Sequence, residues 1–189
     1  MELKDVDIMD VTLRDGSYAI DFQYSEYDTR MVGVALENAG VKYVEIGHGM
    51  GLNASSVKNG LAACSDAEYL AEAQKSYKRC KYGTFCIPGV ARVEDLNLLK
   101  EYGASFVRIG TNIDKIKTSK RYIEKAKDLG LTVMSNYMKS YTASSEQFES
   151  CVKLSKSYGS DYVYVVDSAG CMLPNDIKKY LILFKMLEI

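Results

Sequence analysis

Apolar positions along the chain fall into short continuous runs separated by longer amphipathic stretches. The runs predict six strands, at residues 6–13, 43–46, 82–87, 106–109, 131–138 and 162–166. Continuous apolar runs, as opposed to alternating ones, are typical of parallel strands that helices cover on both faces. The pattern therefore predicts a repeated strand-helix architecture.

Helical spacing fills the intervals between these runs. It predicts helices over residues 25–39, 66–78, 93–102, 119–129, 145–158 and 174–188. Ser65 precedes the second of these and is a candidate helix cap. Four helices are followed directly by a glycine, which accepts the left-handed conformation that ends a helix: Gly40, Gly103, Gly130 and Gly159.

Six strand-helix units are compatible with a doubly wound open sheet or with a (β/α)8 barrel that lacks its last two units. An open sheet places its ligand at one switch point, whereas a barrel gathers the ends of many strands around one centre. Polar residues follow nearly every predicted strand: Arg14, Asp15, Glu45, His48, Thr111, Asn112, Asn136, Ser140, Asp167 and Ser168. We therefore favour an α/β fold of the incomplete (β/α)8 barrel type. Because no linker-like segment divides the chain, we expect residues 1–189 to form one domain.

Composition narrows the function classes. The 189 residues carry a net charge of −1 with both signs interleaved, which argues against a nucleic-acid or polybasic membrane surface. No apolar run is long enough to span a bilayer, and residues 1–5 lack the apolar core of a signal peptide. The five cysteines contain no Cys-x-x-Cys pair, which favours reduced thiols. We expect a cytoplasmic protein that binds neither nucleic acid nor membranes.

The most informative segment is residues 10–16, DVTLRDG, at the end of the first predicted strand. It places the Arg14 guanidinium beside the Asp15 carboxylate, just before a glycine-permitted turn. A fixed cation next to a potential metal ligand suits the stabilisation of an enolate formed from an oxo acid. The alternative interpretation is a surface ion pair of little energetic value.

Four segments carry a resemblance to a known family. They are DVTLRDGS at 10–17, VEIGHGMGL at 44–52, VRIGT at 107–111 and VDSAG at 166–170. Together they resemble the metal-dependent lyase and synthase superfamily that includes HMG-CoA lyase and isopropylmalate synthase, and within it the 4-hydroxy-2-oxovalerate aldolase branch. The resemblance runs over essentially the whole chain and implies a (β/α)8 barrel.

The resemblance implies a role for several residues. Asp15 matches a carboxylate ligand of Mn²⁺ or Mg²⁺, and Arg14 matches the arginine that holds the substrate carbonyl and stabilises the enolate. Glu45 and Asp167 match acidic positions near the metal and its water, with Glu45 in the catalytic group. Ser168 matches a position near the substrate carboxylate. His48 either contacts substrate or holds its own loop.

The family reaction is a retro-aldol cleavage of a 4-hydroxy-2-oxo acid. A base removes the 4-hydroxyl proton, the C3–C4 bond breaks, an aldehyde leaves, and the remaining pyruvate enolate is protonated. The resemblance also implies a protein partner, an acylating aldehyde dehydrogenase that receives the aldehyde.

The chain departs from the family pattern at its proposed general base. Tyr18 stands where the family has histidine, and a phenol, with an ordinary pKa of about 10, is a poorer base near neutrality. A proton relay, an orienting hydrogen-bond donor, a different base, a different substrate and lost activity all remain open. Tyr141, after Ser140, likewise stands where the family tends to have histidine.

A second departure concerns the family's remaining metal ligands, a His-x-His pair on strand seven. This chain contains one histidine, His48. We favour a fragment of a longer protein, whose unpaired edge strands would promote self-association. The alternative to a fragment is a divergent protein that has lost the site. The alternatives to the aldolase function are a carbon-carbon bond-forming synthase that uses an acyl-CoA and an oxo acid, and a non-catalytic relative. Such synthases commonly carry glutamine after the arginine motif, which Ser17 and Tyr18 do not supply.

Overall fold

The computed structural model describes residues 6–187. Residues 1–5 and 188–189 lie outside the described residues. The signal-peptide prediction rests partly on the first of these segments, and the last predicted helix ends in the second. Strands and α-helices alternate along the chain, as β1 (Met9–Asp10), α1 (Glu26–Asn38), β2 (Tyr43–Glu45), α2 (Asp66–Ser76), β3 (Lys81–Cys86), α3 (Asn97–Glu101), β4 (Phe106–Asn112), α4 (Lys120–Asp128), β5 (Thr132–Met138), α5 (Ser145–Tyr158), β6 (Tyr162–Val165) and α6 (Pro174–Met186). Among residues 6–187, no helix has the length and apolar character needed to cross a membrane.

The chain forms two compact units, the first ending at Val107 and the second beginning at Arg108. In the first unit, β2 pairs in parallel with β1 on one side and with β3 on the other. β4 starts beside β3, where the Ser105 amide donates to the Tyr82 carbonyl at 2.8 Å. In the second unit, β5 and β6 pair in parallel, with Asn136 opposite Tyr164. That residues 1–189 form one domain stays a prediction.

The strand order of the first unit separates the two predicted architectures. Its strands follow the order β1-β2-β3, and the start of β4 lies beside β3. The common doubly wound orders place either β4 or β3 beside β1, and neither occurs here. Parallel strands that follow one another in chain order are the arrangement of a (β/α) barrel, so the structure confirms the barrel interpretation and excludes the open doubly wound sheet.

The first strand is much shorter than predicted. Of residues 6–13, only Met9 and Asp10 are in a strand. The Asp10 carboxylate accepts a hydrogen bond from the Thr12 amide at 2.9 Å, which starts a turn directly after the strand. The amide of Asp15 then donates to the Val11 carbonyl at 2.7 Å, and a 3₁₀ helix runs over Asp15–Ile20. The turn therefore separates Arg14 and Asp15 from β1.

Helix ends follow the sequence signals. Ser65 caps α2 as predicted, with its side chain accepting from the Glu68 amide and the Glu68 carboxylate accepting in return. Ser25 and Ser144 form the same reciprocal box at α1 and α5. The four glycines predicted to end helices all adopt positive φ values, between +66° and +107°.

Helix α1 packs closely against the residue that follows α2. Gly33 on α1 faces the Tyr77 ring, and a Cβ atom added at Gly33 would lie 2.0 Å from the ring. Tyr77 is buried, and its hydroxyl donates to the Thr29 carbonyl at 2.7 Å. The ring is thus fixed at its far end, and the helix needs glycine at this position.

We expect Gly33→Ala to destabilise the protein by about 1–3 kcal/mol, because the buried Tyr77 ring has no room to move. In an uncrowded helix the same change would stabilise by about 1 kcal/mol. Urea unfolding measures the difference. Met31→Ala, at an exposed position of the same helix, should change the free energy of unfolding by less than about 0.5 kcal/mol. A stabilised Gly33→Ala variant would contradict the close packing.

Candidate active site

The centre of the candidate site is the Arg14 guanidinium, placed by the turn after β1. Its Nε donates to the Glu45 carboxylate at 2.6 Å. Its Nη1 donates to the Asp15 carboxylate at 2.6 Å and to the Gly49 carbonyl at 3.1 Å. The guanidinium carbon lies 4.7 Å from the centre of the Phe85 ring. Three acceptors and one aromatic face therefore fix the position of the cation.

The second terminal nitrogen of Arg14, Nη2, does not share in these hydrogen bonds. Nη2 has no hydrogen-bond acceptor among the described residues. Within residues 6–187, the one buried side-chain polar atom without a partner is the Thr111 hydroxyl. A ligand oxygen that accepted from Nη2 would therefore displace no hydrogen bond made by the described residues.

The two carboxylates on Arg14 differ in their contact with water. The Glu45 side chain is 0% exposed, whereas the Asp15 side chain is 58% exposed. A buried carboxylate is needed to compensate a buried cation, and removing such a partner is costly. An exposed ion pair contributes little to stability. Glu45 therefore holds the arginine in place, while Asp15 presents its carboxylate to solvent.

Asp15 offers one hard oxygen donor of the kind that Mn²⁺ and Mg²⁺ prefer. No group of three or more histidine, cysteine or acidic side chains within residues 6–187 is arranged to hold a metal ion. The described residues thus do not complete a metal site by themselves.

Tyr18 lies on the 3₁₀ helix that starts at Asp15, with half of its surface exposed. Partial burial raises the pKa of the Tyr18 phenol above its ordinary value. The charge of Arg14 opposes this shift and the charge of Asp15 adds to it. The phenol therefore keeps its proton at neutral pH and is a hydrogen-bond donor there.

His48 lies in the loop after β2 and is almost completely buried. Its Nδ1 accepts from the Met50 amide at 3.0 Å, which assigns the ring proton to Nε2, 3.2 Å from the Gly60 carbonyl. Burial lowers the pKa of the imidazole, so the ring is neutral at neutral pH. Both ring nitrogens contact backbone groups of the loop. Both predicted roles of His48, substrate contact and support of its own loop, stay predictions.

Asp167 and Ser168 belong to the second unit, where they shape the turn after β6. The Ser168 hydroxyl accepts from the Lys139 amide at 3.0 Å, and the Asp167 carboxylate accepts from the Met172 amide at 2.7 Å. The Met172 amide is the main reason that the pKa of Asp167 is lowered. Their predicted roles near the substrate and the metal's water stay predictions.

Sequence reasoning grouped Arg14, Asp15 and Glu45, and in the structure both carboxylates contact the Arg14 guanidinium. It missed the Gly49 carbonyl and the Phe85 ring that complete the arginine's surroundings. The glycines flanking His48 were a usable signal for a backbone acceptor. Phe85 belongs to an apolar strand, and nothing in its pattern distinguishes it from a core residue.

The family model and the related proteins that match this chain agree with each other. Residues 5–186 match the model of the HMGL-like family. Proteins named 4-hydroxy-2-oxovalerate aldolase, from Geobacillus genomosp. 3 and Moorella thermoacetica, are each 38% identical over 178 residues. The alignments cover 94% of this chain and 53% of each relative. The chain thus spans about half the length of the curated relatives it matches.

Solved structures share the fold at low sequence identity. The N-terminal domain of a candidate aldolase from Bacteroides vulgatus superposes with a TM-score of 0.75 at 20% identity, covering 96% of this chain and 60% of that one. The carboxyl transferase domain of Rhizobium etli pyruvate carboxylase, with pyruvate and biocytin, gives 0.75 at 13% identity, covering 99% and 34%. These similarities support the barrel fold.

The unequal burial of the two carboxylates predicts unequal effects on stability. Glu45→Gln keeps the side-chain shape but leaves the Arg14 cation without its buried counter-charge, so we expect a loss of about 3 kcal/mol in the free energy of unfolding. Asp15→Asn, the exposed partner of the same guanidinium, should cost less than about 1 kcal/mol. Urea denaturation compares the two variants, and equal losses would contradict this division.

Proposed function

The chain belongs to the HMGL-like family, and on that premise we propose that the protein carrying it is a metal-dependent aldolase. Its reaction would cleave a 4-hydroxy-2-oxo acid into pyruvate and an aldehyde, as the names of its relatives suggest. One observation carries the proposal. A nearly buried guanidinium is held by Glu45 and Gly49, while its Nη2 has no hydrogen-bond acceptor among the described residues.

The geometry suits the charge that develops in a retro-aldol reaction. When the C3–C4 bond breaks, its electron pair moves into the pyruvyl fragment and forms an enolate, with negative charge on the former 2-oxo oxygen. Nη2 of Arg14 would donate to this oxygen. Because the cation is already fixed, it stabilises the enolate without reorganising during the reaction. Glu45 acts through Arg14 and is a positioning residue in this scheme.

We place Tyr18 beside the C4 hydroxyl, as the group that exchanges its proton with solvent. Its phenol is half exposed and lies within the electrostatic reach of Arg14 and Asp15. The proton-accepting form is the phenolate, which the raised pKa keeps scarce at pH 7. We therefore expect turnover to increase with pH towards that raised pKa, with no plateau near neutrality.

We propose Mn²⁺ or Mg²⁺ as the metal, with Asp15 as one ligand. Such an ion supplies positive charge to a chelated oxo acid. Support comes from the exposed Asp15 carboxylate beside Arg14 and from the family. We also propose that an acylating aldehyde dehydrogenase accepts the aldehyde, which rests on the family resemblance alone, and that the protein acts in the cytoplasm.

The function is tested by pyruvate release from 4-hydroxy-2-oxo acids, assayed on the complete protein that carries this sequence. We expect Mn²⁺ or Mg²⁺ to be required and chelation by EDTA to abolish release. Arg14→Lys should lower kcat at least about 100-fold, because the ammonium cannot reproduce the planar fork. Asp15→Asn should lose metal-dependent release while unfolding like the unmodified protein. Consumption of an acyl-CoA with an oxo acid, without pyruvate release, would favour the synthase instead.

Self-association is a further proposal, supported by helix α6. Several of its apolar side chains are exposed: Ile177, Leu181, Ile182 and Met186. We expect the 189-residue chain to sediment as concentration-dependent oligomers, and Leu181→Lys with Met186→Lys to shift it towards the monomer, because charge opposes burial of this face. Tyr27→Lys, at an exposed position of α1, is the control. A monomer at every concentration would refute the proposal.

A further inference from the structure

Phe22 contacts two other rings, and we call Tyr18, Phe22 and His48 the aromatic clamp. The Phe22 ring stacks on the His48 ring, with centroids 4.0 Å apart and an interplanar angle of 19°. The Tyr18 ring meets Phe22 edge-on, at 5.0 Å and 68°. Phe22 is therefore the central member, and it joins the 3₁₀ helix that carries Tyr18 to the loop that carries His48.

Two glycines make room for the clamp. A Cβ atom added at Gly49 would lie 2.6 Å from the Tyr18 ring and 2.8 Å from the Phe22 ring. One added at Gly60 would lie 2.3 Å from the Phe22 ring. The rings thus lie directly on the backbone of the loop after β2, and any side chain at these two positions would displace them.

The backbone at Phe22 adopts a conformation that is unusual for its residue type. Asp21 and Phe22 are consecutive non-glycine residues with φ values of 51° and 63°. Such conformations persist only where the surroundings hold them. Here the Phe22 amide donates to the Ser17 carbonyl at 2.8 Å, and the Phe22 carbonyl accepts from the Ala63 amide at 3.1 Å. The ring is therefore aimed at His48 by a strained but well-bonded turn.

The clamp also contacts the arginine's own surroundings. Gly49, against which Tyr18 and Phe22 pack, supplies the carbonyl that accepts from Arg14 Nη1 at 3.1 Å. His48 precedes it and is pinned by both ring nitrogens. Phe22 therefore stacks on the loop that holds the guanidinium and also contacts the Tyr18 ring.

We propose that Phe22 is a positioning residue that fixes the Tyr18 phenol relative to the Arg14 guanidinium. Its effect on turnover rests on the proposed aldolase function, whereas its effect on the Tyr18 ring does not. A ring that merely filled space would contribute to stability alone. A positioning ring changes the environment of the phenol and the rate of the step that uses it.

The first test follows Tyr18 in the 189-residue chain without substrate, using ring-labelled tyrosine and NMR, with Tyr18→Phe to assign its signal. In Phe22→Leu we expect the Tyr18 ring signals to move and its contacts with His48 loop protons to be lost. Its titration should shift towards that of a free phenol. Phe22→Tyr keeps a ring that can stack, and it should retain the original signals. Tyr27→Leu, an exposed aromatic on α1, is the matched control.

The second test measures kcat and KM across pH in the complete protein. We expect Phe22→Leu to lower kcat at least tenfold and to change KM for the oxo acid less than threefold, with Phe22→Tyr restoring kcat. Unchanged Tyr18 signals in a folded Phe22→Leu variant would overturn the proposal, whatever the activity. If Phe22→Leu does not fold, loss of the Tyr18 contacts in folded Phe22→Tyr would overturn it too. Altered Tyr18 signals without pyruvate release from any variant, the unmodified protein included, would refute the aldolase function and leave the positioning role standing.

Discussion

The site depends on the charge compensation between Arg14 and Glu45. A guanidinium that is 7% exposed is costly to keep out of water unless a carboxylate of equal burial accepts from it, and Glu45 on β2 is completely buried. The pairing of β1 with β2 brings the two side chains together. The turn that ends β1 early then aims the arginine at Glu45 and leaves Asp15 outside. The short first strand is thus a condition of the site's geometry.

Much of the fold could be predicted because local signals agree with one another. Apolar runs located the strands, and Ser65 and the glycines after four helices marked ends that the structure confirms. The prediction was wrong about the length of β1, because Asp10 starts a turn inside an otherwise apolar run. The order of neighbouring strands, which decided between two architectures, is a tertiary property that no local pattern contains.

Only the part of the candidate site that lies within the sequence motifs could be predicted. Arg14 and Asp15 are adjacent in sequence, but the bond from Arg14 to Glu45 spans 31 positions and appears only when β1 and β2 pair. The left-handed backbone of Phe22 has no sequence signal, because a bulky residue rarely adopts a positive φ, although Asp21 before it is of a type that adopts one more often. The stacking of Phe22 on His48 follows from that backbone and was equally hidden.

The unequal exposure of the two carboxylates has a consequence for how the protein responds to ionic strength. Mobile ions screen charges that face water and have little access to charges that are buried. The contact from Arg14 to Asp15 therefore weakens in concentrated salt, while the contact to Glu45 persists. In a saline environment, Asp15 would be held less firmly while Arg14 keeps its position against Glu45. The position of the cation is therefore set by the protein interior, and that of Asp15 depends on the solvent.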